Sequence, residues 1–245
     1  MTQSITKSTQ RERSDQTRKA ILDAAIREFS AHGLSGARTE AIAESAGANK
    51  ALLYYYFKSK ENLYTAAIEE VSGKVLANAM AALDPAYSAG ERLLRTALNH
   101  FDRVLSQQEF QSLLQQEMVR FHRHKSADMP AMFQLAFKPL VEKIEAAVKE
   151  GVRSRELCRV DPLQVMCSAF GANVFYFLSA PMMQLALPYP LFAPETLRLR
   201  RQAAVHFLGN AIFEDRAYGA RLAKRVLKQM PMPEIKDFQF RRKQI

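Results

Sequence analysis

Between Arg38 and Lys60, three small polar residues and one glycine fall where short helices begin and end. The Thr39 hydroxyl can cap a first helix that carries Ala41, Ile42, Ala43 and Ala46. That helix stops at Gly47, the residue type that best tolerates a left-handed backbone past a helix end. Asn49 can cap a second helix, from Lys50 to about Tyr56, and Ser59 a third, with Asn62 where a capping box takes Glu or Gln. Two short helices about a tight, glycine-containing turn make the helix-turn-helix pattern, whose second helix enters the DNA major groove while its flanks hold phosphates. The side chains suit that chemistry. Lys50 can donate to guanine N7 and O6, and the Ala51 methyl can meet that of thymine. Tyr54, Tyr55 and Tyr56 follow one another on one helix and point about 100° apart. They cannot all be buried, and an outward phenol can donate to a phosphate. Arg38, just before the first cap, either reaches the DNA backbone or stays a solvated charge. Glu40 cannot attract phosphate; it either accepts from cytosine N4 or favours the start of its helix, and the second is the simpler reading.

The elements that must position these residues read as helices throughout. Ala and Leu are plentiful, the first proline is Pro85, and no alternating run argues for a sheet. The expected fold is all-α: an N-terminal three-helix helix-turn-helix domain followed by a C-terminal helical bundle. A first helix over 15–32 repeats Ile21, Leu22, Ala25, Ile26 and Phe29 at helical spacing, to pack on Ile42, Ala46, Leu53 and Phe57. Gly33 and Gly36 bracket the turn that follows. A long helix from Lys60 to about Leu83 buries Leu63, Ala67, Ile68, Val71 and Val75, and Asp84-Pro85 closes it. Further helices are expected over 88–106, 109–124, 128–150, 161–180, 195–213 and 218–230. The domain reading is a flexible basic arm over 1–14, a DNA-binding domain over 15–62, an effector-binding and dimerisation domain over 63–230, and a basic tail over 231–245.

Composition narrows the function classes. A hydrophobic fraction of 48% excludes wholesale disorder. The net charge of +10 is unevenly placed: +4 in residues 1–60, −1 in 61–215 and +7 in 216–245. A basic end that carries a helix-turn-helix suits DNA phosphates. Cys158 and Cys167 are expected as reduced packing thiols in a cytosolic chain. No N-terminal export signal is read, and no uninterrupted apolar run of about 18 residues suggests a membrane span.

The stretch from Thr17 to about Tyr64 resembles the tetracycline-repressor (TetR) family of bacterial regulators. The resemblance rests on Ile21-Leu22-Asp23-Ala24-Ala25 leading to Phe29 and Gly33, then Thr39, Ile42-Ala43 and Ala46-Gly47. Leu53-Tyr54-Tyr55-Tyr56-Phe57 and Lys58-Ser59-Lys60-Glu61-Asn62-Leu63 complete the ordered set. Carried over position by position, it implies that Lys50 and Ala51 face the groove with Asn49 beside them, and that Thr39, Tyr54, Tyr55, Tyr56 and Lys60 hold the backbone. Glu40 departs from the neutral or basic residue of many relatives. The resemblance further implies a homodimer, built through the last two large helices on a palindromic double-stranded operator, and a ligand pocket in the larger domain.

Within that larger domain an aromatic and methionine-rich set can line such a pocket: Phe101, Met118, Phe121, Met129, Phe133, Phe137, Phe170 and Tyr176. His122 and Asn173 are the polar residues able to orient a small apolar or amphipathic effector, although most of these positions also read simply as core. No metal site is expected, since His122 and His124 do not share a helix face and no cysteine or carboxylate cluster completes a set. No cofactor and no catalytic site are expected either: neither a Gly-x-Ser-x-Gly nucleophile nor a phosphate-cradling glycine loop is present. The function expected is a ligand-responsive transcriptional repressor. Its rivals are a regulator governed by a protein partner, and an enzyme with an accessory DNA-binding segment. The basic residues Arg221, Lys224, Arg225, Lys228, Arg241, Arg242 and Lys243 read as a solvated surface.

Overall fold

The structure, a computed structural model, describes residues 2–123 and 133–234. Its helices are α1 (Thr2–Gly36), α2 (Thr39–Ser45), α3 (Lys50–Phe57), α4 (Lys60–Ala82), α5 (Ala89–Ser106) and α6 (Gln108–His122), then α7 (Lys138–Arg153), α8 (Pro162–Met183), α9 (Pro194–Ala211) and α10 (Arg216–Gln229). A π-turn, Phe133–Phe137, leads into α7. Among the described residues the only β pairing is an isolated bridge between Leu157 and Phe213. The all-α reading holds.

Residues 2–14, expected as an irregular arm, continue α1 instead. Neither glycine nor proline precedes Gly33, so nothing stops the helix that the Ile21, Ala25 and Phe29 stripe has already nucleated. The break comes at Gly33, whose φ of +67° is left-handed.

By compactness the chain divides into two units, Met1–Lys74 with Gln108–Ala136, and Val75–Gln107 with Phe137–Ile245. The division falls inside α4, and α6 groups with α1, whereas the sequence reading drew its boundary at 62/63. The reason is local. A helix end leaves its last carbonyls without intrahelical partners, and the Ser30 carbonyl, just before the break, accepts from Ser112 Oγ (2.8 Å) and Gln116 Nε2 (3.0 Å) of α6. The core of this first unit takes Ile21, Ala25 and Phe29 from α1, Ile42 from α2, Leu53 and Phe57 from α3, Leu63 and Tyr64 from α4, and Leu113 from α6. Phe29 and Tyr64 meet edge to face at 4.9 Å. The Tyr64 hydroxyl donates to Glu117 Oε1 (2.7 Å), which also receives Arg120 (2.6 Å). Burial, first, and the Glu117 carboxylate push the Tyr64 phenol well above its usual pKa, so it stays a donor.

In the second unit α5 contacts α7, α8, α9 and α10 and is its central element. Leu94 and Leu98 of α5 meet Ile144, Val148, Val165, Val205, Leu208, Leu222 and Val226 in one core. Ser88 caps α5 through the Glu91 N–H, and Glu156 reaches back to the Ser88 hydroxyl and the Gly90 N–H. The helices α9 and α10 touch backbone to backbone: a Cβ on Gly209 would lie 2.8 Å from the Gly219 carbonyl oxygen. Arg201 of α9 is 4% exposed and forks onto both oxygens of Asp102 on α5 (2.6 and 2.7 Å), also donating to the Met230 carbonyl. Helix α8 is long and apolar enough to cross a membrane by length and composition alone. Here it supplies Val165, Met166 and Phe170 to the unit's core. Both thiols are free: Cys158 is half-buried with its Sγ 3.3 Å from the Ile212 carbonyl oxygen, and Cys167, expected as a packing residue, is exposed on α8.

A buried fork loses more when halved than it contributes whole, because one charge is left stranded. Arg201→Ala is expected to cost about 3–5 kcal/mol in urea unfolding, and Arg201→Met, which fills the space but also strands Asp102, recovers only part of that.

Candidate nucleic-acid interface

The helix-turn-helix is assembled by its caps. Helix α2 ends in a double closure: the Ala48 N–H returns to the Ala43 carbonyl (2.9 Å) and the Gly47 N–H to that of Glu44 (3.1 Å), with Gly47 at φ +64°. This is the reciprocal pattern that a left-handed residue permits, and it turns the chain sharply into α3. Asn49 then caps α3, its side chain accepting from the Leu52 N–H (2.8 Å), and the Ser59 hydroxyl accepts from Asn62 N–H (3.0 Å) at the start of α4. Thr39, expected as the cap of α2, is instead its first residue and is buried. Arg38 occupies the cap position without a side-chain bond, its backbone N–H donating to Glu28 Oε1 (3.0 Å). The Glu28 carboxylate arrives from α1, which no local spacing announces.

The sequence-predicted contact residues are gathered by this geometry on α2 and α3 and their flanks. Leu53 and Phe57 turn inward, so Lys50, Ala51, Tyr54 and Tyr55 lie on the exposed side of α3. Asn49 and Arg38 are exposed, and Lys60 is half-buried at the first position of α4. Of the three tyrosines, Tyr55 is 68% exposed, Tyr54 is at 37%, and Tyr56 leans on α1 with its hydroxyl 3.0 Å from Ser14 Oγ. Two features escaped the sequence reading. Lys58 closes α3 at φ +66° with its ammonium on the Tyr55 carbonyl (2.9 Å) and over the Tyr55 ring, adding a cation beside the tyrosines. Glu40 and Lys50 form an ion pair from α2 to α3. The hydrogen bond from Lys50 is the main cause holding the Glu40 carboxyl down at about 2, and Glu40 in turn raises Lys50. Opposite charges at the starts of two adjacent short helices were the available signal.

The nine residues expected around an effector divide between the two units. Phe101, Phe170, Asn173 and Tyr176 lie on α5 and α8 of the second unit, and Phe137 begins that unit's second segment. Met118, Phe121, His122 and Phe133 are exposed in the first unit. Helix α6 buries Leu113 and Glu117, while Met118 and, in its last turn, Phe121 and His122 are exposed. Met129 and His124 lie outside the described residues, as do Arg241, Arg242 and Lys243 of the tail. Arg221, Lys224 and Lys228 are exposed on α10, and Arg225 bridges to Glu91 (2.8 Å).

In the second unit a polar cluster sits among the aromatics. Asn173 is fully buried; its amide donates to the Ala97 carbonyl (3.2 Å), while its Oδ1 has no hydrogen-bond partner. His100 lies 3.4 Å from the same amide and 4.8 Å, ring to ring, from Phe170. Burial, and secondarily Arg103, pushes the His100 imidazole down to about 3. Burial likewise lowers the Arg103 guanidinium to about 10.

Comparison with known proteins gives a consistent result. The model of bacterial regulatory proteins of the tetR family matches residues 21–67, and that of the tetracyclin repressor-like C-terminal domain matches 90–208. The HTH-type transcriptional repressor NicS of Pseudomonas putida is 32% identical over 151 residues, covering 60% of this chain and 70% of NicS. The HTH-type transcriptional regulator RutR of Escherichia coli is 52% identical over 54 residues, 22% of this chain and 26% of RutR. In fold, a transcriptional regulator from Saccharomonospora viridis, solved in complex with choline, superposes with a TM-score of 0.64 at 17% identity, over 81% of this chain and 98% of that one.

Two outcomes follow from this geometry. Asn49→Ala removes the cap of α3 and is expected to lower stability by about 1 kcal/mol in urea unfolding. Because the folded pKa of His100 lies below its ordinary 6.5, the unfolded chain takes up the proton first. The stability present above pH 6.5 is therefore lost as pH falls from there toward about 3, at about 1.4 kcal/mol per pH unit. His100→Gln is expected to flatten that dependence when unfolding is measured at pH 7, 6 and 5.

Proposed function

The chain belongs to the tetracycline-repressor (TetR) family of DNA-binding transcription regulators, and we propose that it is a repressor that grips a palindromic operator as a homodimer and releases it when a small apolar or amphipathic effector enters its C-terminal bundle. The observation that carries the reading is the capped α3, with Lys50, Ala51, Tyr54 and Tyr55 outward on a helix anchored by Leu53 and Phe57. On this reading Lys50 and Ala51 address base edges with Asn49 beside them, while Arg38, Thr39, Tyr54, Tyr55, Tyr56 and Lys60 position the backbone.

The homodimer is supported by an apolar face that the single chain leaves in water. Phe175, Leu178 and Met182 of α8 and Leu199 and Phe207 of α9 are each more than half exposed. Between the two helices runs a groove of about 370 Å³ lined by Ser168, Ala172, Arg200, Ala203 and Phe207. Exposed apolar surface on this scale marks an interaction site, and a two-fold pair of readers requires half-sites about 34–36 Å apart. Effector control is supported by the fully buried Asn173, whose open Oδ1 suits a donor on a ligand seated among Phe101, Phe170 and Tyr176. Such a ligand shifts the operator equilibrium only as far as it binds the released state better than the bound one.

The test is to select bound duplexes from a random pool, confirm a palindrome by fluorescence anisotropy, and screen metabolites for release. Absence of any preferred palindrome rejects the DNA reading; a palindrome that no metabolite releases rejects effector control. For the dimer, Phe207→Glu is expected to give a monomer by light scattering with unchanged helical circular dichroism. Its operator affinity should fall about a hundredfold or more, since the second reader no longer binds intramolecularly.

A further inference from the structure

The Glu40–Lys50 pair is left over from the reading above: a carboxylate at the second position of α2, on a surface meant for a polyanion, costs affinity unless it meets a donor. Both side chains are about half exposed. The pair places one acceptor and one donor 2.5 Å apart, joining the first turns of α2 and α3. A C·G base pair offers the complementary arrangement on its major-groove edge, with the cytosine N4 donor beside the guanine O6 and N7 acceptors. The cytosine N4 and guanine O6 atoms are separated by about a hydrogen-bond length, roughly 2.9 Å.

We infer that Glu40 and Lys50 act as one specificity-determining unit, Glu40 accepting from cytosine N4 while Lys50 donates to the guanine of the same base pair, once per half-site. This rests on the DNA-binding reading above and deepens it. The ion pair need not break to do so. An ammonium has three N–H donors, of which Glu40 takes one, and a carboxylate has about four lone-pair sites, of which Lys50 takes one. Each keeps the other at the spacing the base pair presents, so little side-chain freedom is left to lose on binding. Where the base offered to Glu40 is guanine or thymine, the carboxylate faces acceptors or a methyl group, and the groove potential turns it into a penalty. Adenine N6 offers it a donor, but the thymine opposite gives Lys50 only O4 beside a methyl in place of guanine O6 and N7. Glu40 thus excludes wrong sequences as much as it recognises the right one. The rejected alternative is that Glu40 merely masks Lys50, lowering affinity for all DNA alike.

The experiment is selection from a random duplex pool with the full chain and with Glu40→Gln, Glu40→Ala and Lys50→Ala, followed by anisotropy titrations on the selected operator and on versions changed at single positions. The wild type is expected to select one C·G pair in each half-site, to prefer it about tenfold to a hundredfold over G·C and T·A, and to prefer it by a smaller factor over A·T, whose adenine amine also meets Glu40. Both Glu40 variants should lose that preference, to within about twofold, keep the rest of the consensus, and bind bulk DNA more tightly. Lys50→Ala should lose the same position and no other. If the Glu40 variants keep every preference and bind all sequences better by one common factor, Glu40 is only a mask and the inference is overturned. A lost preference for a pair other than C·G overturns it as well. A wild-type protein that selects no palindrome removes the DNA reading itself, a result distinct from either.

Discussion

Eight residues are too few to hold a helix in water, because nucleation costs more than so short a run of hydrogen bonds returns. Everything α3 can do on DNA therefore depends on what holds it from outside. Two buried side chains, Leu53 and Phe57, fix its inner face, and the Asn49 side chain ties its first turn. The paired closure at Gly47 sets its direction relative to α2. The outward residues inherit their positions from that small set of contacts. Tyr54 and Tyr55 are presented as a surface because their neighbours on either side have been taken into the core.

The two compact units are stabilised by different physics around similar cores. In the first, Glu117 is 1% exposed, and the Tyr64 hydroxyl and Arg120 both donate to it, which offsets the cost of burying its charge. Tyr64 follows the start of α4 by a single turn, so this polar contact ties α6 to the helix that directly follows α3. In the second, Asp102 and Arg201 join α5 to α9 by a two-pronged contact whose geometry admits little sliding. Such groups contribute modestly to net stability, but they favour one packing arrangement over its near neighbours.

Much of the first unit was legible in the chain itself, because its signals are local. Asn49, Gly47 and Ser59 act within three residues of their partners, and the stripe Ile21, Ala25, Phe29 has a period that only a helix uses. Where a partner comes from far along the sequence, the reading failed. Thr39 is displaced from its capping role by a neighbour of Glu28, ten residues back from Arg38, and α6 joins α1 through the Ser30 carbonyl from more than eighty residues away. The aromatic set shows the same limit. Phe101 and Phe121 are alike in type, yet one is buried and the other faces water. Phe121 follows the buried Leu113 and Glu117 along one stripe but falls in the last turn of α6, and helical period alone does not say how far along a stripe the packing extends. The Glu40–Lys50 contact was hidden for a related reason: each charge was weighed against DNA and not against the other.

The backbone contact between Gly209 and Gly219 carries a consequence for how this molecule can vary over evolutionary time. A methyl group at Gly209 would lie 2.8 Å from the Gly219 carbonyl oxygen and 3.0 Å from Ala223 Cβ, and one at Gly219 would meet the Gly209 carbonyl oxygen and Phe213. Helices α9 and α10 are thereby locked at one separation, and any drift at either glycine must be absorbed by displacing α9 as a rigid rod. That rod bears Leu199 and Phe207 on its far side. A mutation wholly inside the fold would accordingly be felt at the exposed Leu199 and Phe207, and surface and interior at this corner must diversify together or not at all.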